Sequence, residues 1–474
     1  MINTRKMITH NYFYYIEKEI ILLNNKHMPV SISEHFTYKK IAKITIFPMM
    51  MMVFISLYSV VDGLFIANFS NNNAFAAVNL IFPFIMIIGS LGFMFGTGGT
   101  ALVSKYLGEG KKEKANQTFS LIIYTTIGVG LFFSVVGFFL IKPVVSLMAS
   151  LSKDSTEEMV EYAVLYGRVM ALGQIAFMLQ NVFHSFFMVA EKGKMAFLFT
   201  FLAGISNIIF DALFVAVLKM GILGAALGTI IGYVVGGIGS LLYFVIRQDL
   251  PIKLCKTRMD FKDLFQSIYN GMSEFVSNIA MNLVSVVYNA QLLKAYGVNG
   301  VSAYGIIMYV SFVFCAIFIG YCIGMAPAVG YNYGSQNKAE LHNILKKSCF
   351  SMAVLGVSMC VLSMSTAFPF ALLFGRGEQE LIDLTVHATM VYSIAYLAIG
   401  FSMFFSSFFT ALNNGLVSAV ISLMRTLVFQ IGMIMLFPLI FGDKSLWWAL
   451  VVGELLNVVL ALIFLFANKK KYGY

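Results

Sequence analysis

Six ionisable side chains interrupt long apolar stretches of this sequence: Asp62, Arg168, Asp211, Glu274, Arg425 and Glu454. Charge inside a bilayer is costly, and such residues mark ion or substrate paths by default. Asp62 and Asp211 stand out, because 59–67 and 209–217 are otherwise strongly apolar. Asn207 precedes Asp211 by one helical turn and shares its face. Thr229 follows in the next apolar run. Two close carboxylates in low dielectric cannot both stay charged without a counter-ion. With an amide and a hydroxyl beside them, they could bind a proton or a sodium ion. The bland alternative is a hydrogen-bonded cluster that only locks helices together. Two acids in apolar helices are costly for that purpose alone, which favours ion binding.

The elements that would position these residues follow from composition. Of 474 residues, 59% are apolar and 11% charged, with a mean hydropathy of +0.84. So few charges cannot cover a water-facing surface. This excludes a soluble, disordered or nucleic-acid-binding protein, despite a net charge of +10. A bilayer core needs about 20 apolar residues per helix. Twelve runs meet this, at 44–69, 75–104, 118–141, 160–188, 195–218, 222–246, 266–294, 301–332, 345–374, 383–411, 415–441 and 445–467. The expectation is an all-α polytopic protein of the cell membrane.

Placing the N-terminus in the cytoplasm puts 24 of the 32 basic residues in inner segments. Six fall in outer loops (Lys142, Lys153, Lys219, Lys294, Arg376 and Lys444) and two inside spans. That bias predicts two cytoplasmic termini and explains the positive charge as topology. In this frame Asp62, Asp211 and Thr229 lie at one depth, roughly 10 Å below the outer surface at about 1.5 Å per residue. Residues 1–43 read as a cytoplasmic extension. Within it, 11–25 could lie on the membrane surface, and Met28 is a plausible alternative start.

The second six spans echo the first. Gly98, Val103, Gly108 and Lys112 recur as Gly324, Val329, Gly334 and Lys338 at a constant offset of 226. Six spans per repeat make the repeats parallel, related by an axis along the membrane normal. The reading is an N-lobe at 44–246, a cytoplasmic linker at 247–265, a C-lobe at 266–467 and a tail at 468–474. At the same offset Asp62 corresponds to Tyr288, and aligning Gly193 with Gly415 sets Met433 opposite Asp211. The acidic pair has no twin, so ion coupling is expected in the N-lobe alone.

Other side chains are more ambiguous. Glu274, with Asn278 and Asn282 on its face, could line a central cavity or bond within the C-lobe. Met50, Phe54, Tyr58 and Tyr288 could line the same cavity, since Met and aromatic surfaces adapt to varied ligands. Arg425 and Glu454 could pair, and Arg168 could snorkel. His184 and His387 have no ligand spacing. The five cysteines are odd in number and lack C-x-x-C spacing, against a disulfide framework or a zinc site. No phosphate-binding loop, H-E-x-x-H, G-x-S-x-G, potassium filter or regular arginine ladder occurs. No cofactor and no enzymatic activity are expected. Transport driven by an ion gradient remains.

The motifs reached so far carry a family resemblance. Pro48 with 61–66 in the first span, 98–108, Asn207 with Asp211, 224–229 and 326–334 resemble the multidrug and toxic compound extrusion (MATE) family over about 44–467. The resemblance implies two six-helix lobes in a V. It implies export of organic, often cationic, compounds in exchange for H⁺ or Na⁺. It places the cation site at Asp62, Asn207, Asp211 and Thr229, as in the DinF-type branch. The NorM-type branch carries acids in the middle of the seventh and tenth spans. Here the seventh-span position falls near Met281, and no acid lies between Asp383 and Asp443. The expected partners are small organic molecules and the lipid bilayer, with no nucleic acid, for a chain acting as a monomer. The rivals are a lipid-linked saccharide flippase of the same superfamily, favoured by a more cationic cavity, and a non-transporting channel or receptor.

Overall fold

Apolar runs of this length must satisfy their backbone groups internally once in lipid, and the helix does so within one segment. The computed structural model describes residues 32–69, 72–150, 156–374 and 378–474, and the described chain is helical almost throughout. In order come α1 (Tyr38–Phe69), α2 (Asn72–Gly108) and α3 (Lys112–Ser150). Next is α4, in two parts, Glu157–Leu172 and Gln174–Val189, bent by 56°. Then follow α5 (Gly193–Val217) and α6 (Gly221–Ile246). The second half opens with one helical run, Phe261–Gly334, which is two spans. A straight helix would separate Tyr288 from Tyr304 by about 24 Å, yet their ring centroids are 4.7 Å apart. The chain folds back at Gly297, whose φ of 63° and ψ of −152° suit only glycine. This gives α7 (261–296) and α8 (298–334). Then follow α9 (Lys338–Phe374), α10 (Gln379–Ser393 and Tyr396–Ala411, bent by 47°), α11 (Gly415–Phe441) and α12 (Leu446–Tyr472). The described residues thus hold twelve spans.

The helices outrun the apolar limits expected from sequence. The first helix begins at Tyr38 instead of 44, the third runs over Lys112–Ser150 instead of 118–141, and the seventh begins at Phe261, inside the expected linker. Hydropathy sees only the part of a helix that lies in lipid. Residues such as Lys112 and Glu113 sustain the helix beyond it. Residues 1–31 of the expected 1–43 extension, and the loop residues Lys153 and Arg376, lie outside the described residues.

The lobes meet on the face that carries residue 32 and Tyr474, and their seam is two-fold. A Cβ on Gly108 would strike the Tyr331 carbonyl, and one on Gly334 would strike the Lys105 carbonyl. Residues 105 and 331 are themselves 226 apart, so each contact is the image of the other. The same holds deeper: Gly98 lies against Ser267 and Gly271, and Gly324 against Thr45 and Pro48. The α2–α7 and α1–α8 pairs therefore close through small residues, as packing in lipid favours. The bends in α4 and α10 repeat the internal symmetry. Each lobe keeps its own aromatic core, with Phe119, Phe183, Phe187 and Phe244 in one and Tyr321, Tyr396, Phe404 and Phe408 in the other.

Candidate functional site

Three N-lobe helices bring the sequence-singled residues together. On α5, Asn207 and Asp211 stand one turn apart, and Asn207 Nδ2 donates to Asp211 Oδ2 at 2.9 Å. Both are buried. On α6, Thr229 is buried and donates its hydroxyl to Ala225 O at 2.9 Å, which leaves its lone pairs toward the site. From α1, the half-buried Asp62 presents its carboxyl to Asp211, Asn207 and Thr229.

Local sequence explains the close fit. Glycine recurs at every fourth position of α6 from 224 to 236, so α5 lies directly on this stripe. Gly228 faces Asp211 Oδ1, and Gly232 faces Ala203 O and Asn207 Cβ at 3.0 and 3.1 Å from where its own Cβ would stand. Immediately after Asp211, α5 widens into a π-helical stretch, Ala212–Val217. Such irregular turns recur at functional positions.

The chemistry follows from what is left unpaired. Asp62 Oδ1, Asn207 Oδ1 and Asp211 Oδ1 are buried without a hydrogen-bond partner. One N–H of the Asn207 amide goes to Asp211 and the Thr229 hydroxyl donates to Ala225. Three buried oxygens left without a donor suit a small cation that takes oxygen ligands. They do not suit an anion. Tyr58, Tyr166 and Tyr233 surround the carboxylates, and Gln180 approaches Tyr58. Sequence reasoning did not assign Tyr166, Gln180 or Tyr233 to the site. Gln180 had a signal, as an amide in an apolar helix, but the bend in α4 that turns Tyr166 and Gln180 inward had none.

The other candidates sort differently. Phe54 and Tyr58 rest on Gly204 of α5, so they pack toward the N-lobe interior. Met50 is exposed. Tyr288 corrects an expectation: it lines no cavity. It is fully buried in the C-lobe, its hydroxyl donates to Leu446 O at 3.0 Å, and its ring meets Tyr304 and Trp447 edge-on. The geometry is that of a plug. Asn278 and Asn282 donate to the carbonyls of Glu274 and Asn278, within their own helix. Glu274 faces Arg425. Arg425 Nε meets both Glu454 oxygens at 2.8 and 3.1 Å, and Gln430 adds a bond to Glu454 at 2.7 Å. Arg168 does not snorkel freely; its guanidinium lies 5.3 Å from the Phe138 ring centroid. His184 pairs with Thr200 at 3.2 Å.

A family model described as MatE matches residues 48–213 and 275–436, one block in each half. The chain belongs to the MATE family. Its two matched blocks repeat at nearly the offset seen in the glycines. The members similar to it in the comparisons are transporters, not enzymes. One relative, the multidrug export protein MepA of Staphylococcus aureus (strain MRSA252), is 24% identical over 422 residues, covering 88% of this chain and 91% of MepA. Among solved structures, a MATE in complex with MaL6 superposes with a TM-score of 0.88 at 21% identity, over 94% of this chain and all of the other. An outward-facing multidrug resistance MATE transporter of the MOP superfamily gives 0.86 at 21% identity, over 95% of this chain and all of the other. At these identities the structures establish the fold. The chain is a multi-pass membrane protein of the MATE fold.

Proposed function

We propose that this chain is a secondary-active multidrug efflux transporter of the DinF-type branch. It exports organic, cationic or amphipathic compounds by antiport with H⁺ or Na⁺, as a monomer with both termini in the cytoplasm. The observation that carries this reading is the N-lobe site: four oxygen-bearing side chains from three helices, three buried acceptors without donors, and no matching carboxylate pair among the described residues of the C-lobe. MepA's name as a multidrug export protein supports the substrate side.

In this mechanism the cation joins Asp62 on α1 to Asp211 on α5. Binding replaces repulsion between two carboxylates by shared coordination, so it pulls α1 toward α5 and α6. The break in the hydrogen-bond ladder at Pro48 lets the upper part of α1 move while its base stays against Gly320 and Gly324. The movement narrows the cleft and expels substrate.

The flippase alternative calls for free cations in the cavity. Here Arg425 is neutralised by Glu454, and Arg168 is stacked on Phe138.

The test is drug and dye susceptibility of a pump-deficient host expressing the chain, with the proton and sodium gradients collapsed one at a time. Asp62→Asn and Asp211→Asn are each expected to abolish ion-driven efflux while the protein remains folded. Full efflux in either variant refutes the assignment.

A further inference from the structure

Two polar clamps cross the lobe seam on the terminus-bearing face, and neither belongs to the cation site. In the first, Asp263 in the first turn of α7 reaches into the N-lobe. It is buried, and its two oxygens accept from Tyr106 on α2 at 2.8 Å and Thr118 on α3 at 2.7 Å. Lys114 of α3 stands 3.0 Å from the same carboxylate and also pairs with Asp260, which caps α7. The Lys114 ammonium beside Asp260 holds that carboxyl below the usual aspartate range.

In the second clamp, Glu340 in the first turn of α9 reaches the segment before α1. It is buried too, and accepts from the Phe36 N–H at 2.8 Å while facing His35 Nδ1 at 2.7 Å. Asn343 and Lys347 close over the Phe36 carbonyl at 3.0 and 2.6 Å.

The clamps are images of each other. Lys114 and Glu340 are 226 apart, as are Phe36 and Lys262, and Thr37 and Asp263. Each ties the base of one lobe's first helix to the third helix of the other lobe. The polarity is reversed, however: the third helix supplies the cation in one clamp and the carboxylate in the other. Lys114 meets two carboxylates at its seam, while Glu340 meets a backbone N–H, an amide and a histidine at the other. The linker is bonded to the N-lobe as well. Its stretch 253–255 is fixed to the N-lobe, with Lys253 N donating to Asn116 at 2.9 Å and Cys255 N to Ser120 at 2.8 Å. The next residue bonded to the N-lobe is Asp260, and 256–259 between them is exposed except for the half-buried Thr257.

We propose that these two clamps are the gate that holds the lobes together on this face and must part for the transporter to open there. The proposal rests on the transport reading only for its purpose; the gate itself is a statement about lobe separation. Parting the seam frees two buried carboxylates at once. Each then exchanges charged and backbone hydrogen bonds for water, so opening is all-or-none and not gradual.

The experiment measures lobe spacing directly, without substrate. Spin labels at Lys112→Cys and Lys338→Cys, with the five native cysteines replaced, report the distance across this face by dipolar spectroscopy in lipid nanodiscs. In the Asp263→Asn/Glu340→Gln double variant the separated population is expected to rise about tenfold, which is roughly 1.4 kcal/mol. Each single variant is expected to give a smaller rise. Asp263→Glu and Glu340→Asp, which keep the charges, are expected to stay near the parental distribution. If the double variant does not fold, Tyr106→Phe with Asn343→Ala removes one bond from the first clamp and two from the second, and is expected to shift the distribution the same way. An unchanged distribution in a folded double variant overturns the gate. Failure of drug efflux with a clear distance shift would overturn the multidrug reading and leave the gate standing.

Discussion

Gly228→Ala is the sharpest perturbation of the candidate site, because it adds one methyl and removes no polar atom. The new Cβ would collide with Asp211 Oδ1 and would stand 3.1 Å from both Asp211 Cγ and its backbone nitrogen. Ordinary contact begins at 3.4 Å. The carboxylate must therefore retreat by about 1 Å, a displacement that costs a preorganised site roughly a hundredfold. Stability gives a control. Alanine favours the helix over glycine by about 1 kcal/mol, while overpacking costs about 1–3 kcal/mol, so the net loss is small. Gly224→Ala meets comparable crowding, 2.9 Å from Phe214 Cβ and 3.0 Å from its backbone, but touches no site residue. The assay is ion-driven dye efflux in proteoliposomes, with thermal melting measured beside it. The two variants are expected to melt within a few degrees of each other, while only Gly228→Ala loses efflux, by about two orders of magnitude. Equal efflux in both would refute the placement of Asp211 in a geometry-sensitive cation site.

Two further outcomes follow from buried polar groups, one in the site and one in the C-lobe. Asn207→Ala deletes the donor to Asp211 Oδ2 and leaves that carboxylate less satisfied; a loss of about 1–3 kcal/mol in stability is expected, together with weakened ion-driven efflux, and unchanged melting and efflux would contradict it. Arg425→Met is expected to destabilise by about 3–5 kcal/mol because Glu454, only 3% exposed at its side chain, is left as a buried charge. Replacing both members by methionine is expected to recover most of that loss, and a melting cycle over the single and double variants decides the point.

The sequence carried a good part of this architecture, and the reasons are specific. Apolar length marks spans because lipid leaves the backbone no other option, so all twelve runs have their helix. Asp62, Asp211 and Thr229 could be grouped by depth, because rise per residue is fixed once the spans are placed, and Asn207 joined them by sharing the helix face of Asp211. Facing direction was harder to read. Tyr288 shares its depth and offset with Asp62, yet whether a side chain points into its own lobe or across the cleft depends on helix rotation. Rotation is set by packing against neighbours. The seam was missed for another reason. Lys114 and Glu340 are unlike in charge, so a search for repeated identities passes over them, although the offset of 226 held the signal.

The asymmetry between the lobes has a physical consequence of its own. Both halves place an equivalent position, 62 or 288, toward the interior of their own bundle. In the N-lobe that position is a carboxylate facing a second carboxylate, with one oxygen of each buried and unpartnered. On the proposed reading a cation completes this pocket, which gives its helices two arrangements of different energy. In the C-lobe the same position is a tyrosine whose hydroxyl is satisfied by Leu446 O and whose ring is held by Tyr304 and Trp447. That tyrosine is fully paired and packed, and a packed aromatic cluster resists rearrangement. The neighbouring Glu454 carboxylate is likewise paired, by Arg425 and by the Gln430 amide. On the proposed reading, the duplicated scaffold has diverged at one matched position: an ion acts at Asp62 and Asp211 in the N-lobe, while Tyr288 stays packed in the C-lobe. The cleft between the lobes would then respond to the N-lobe site, because only there does binding change how α1 meets α5.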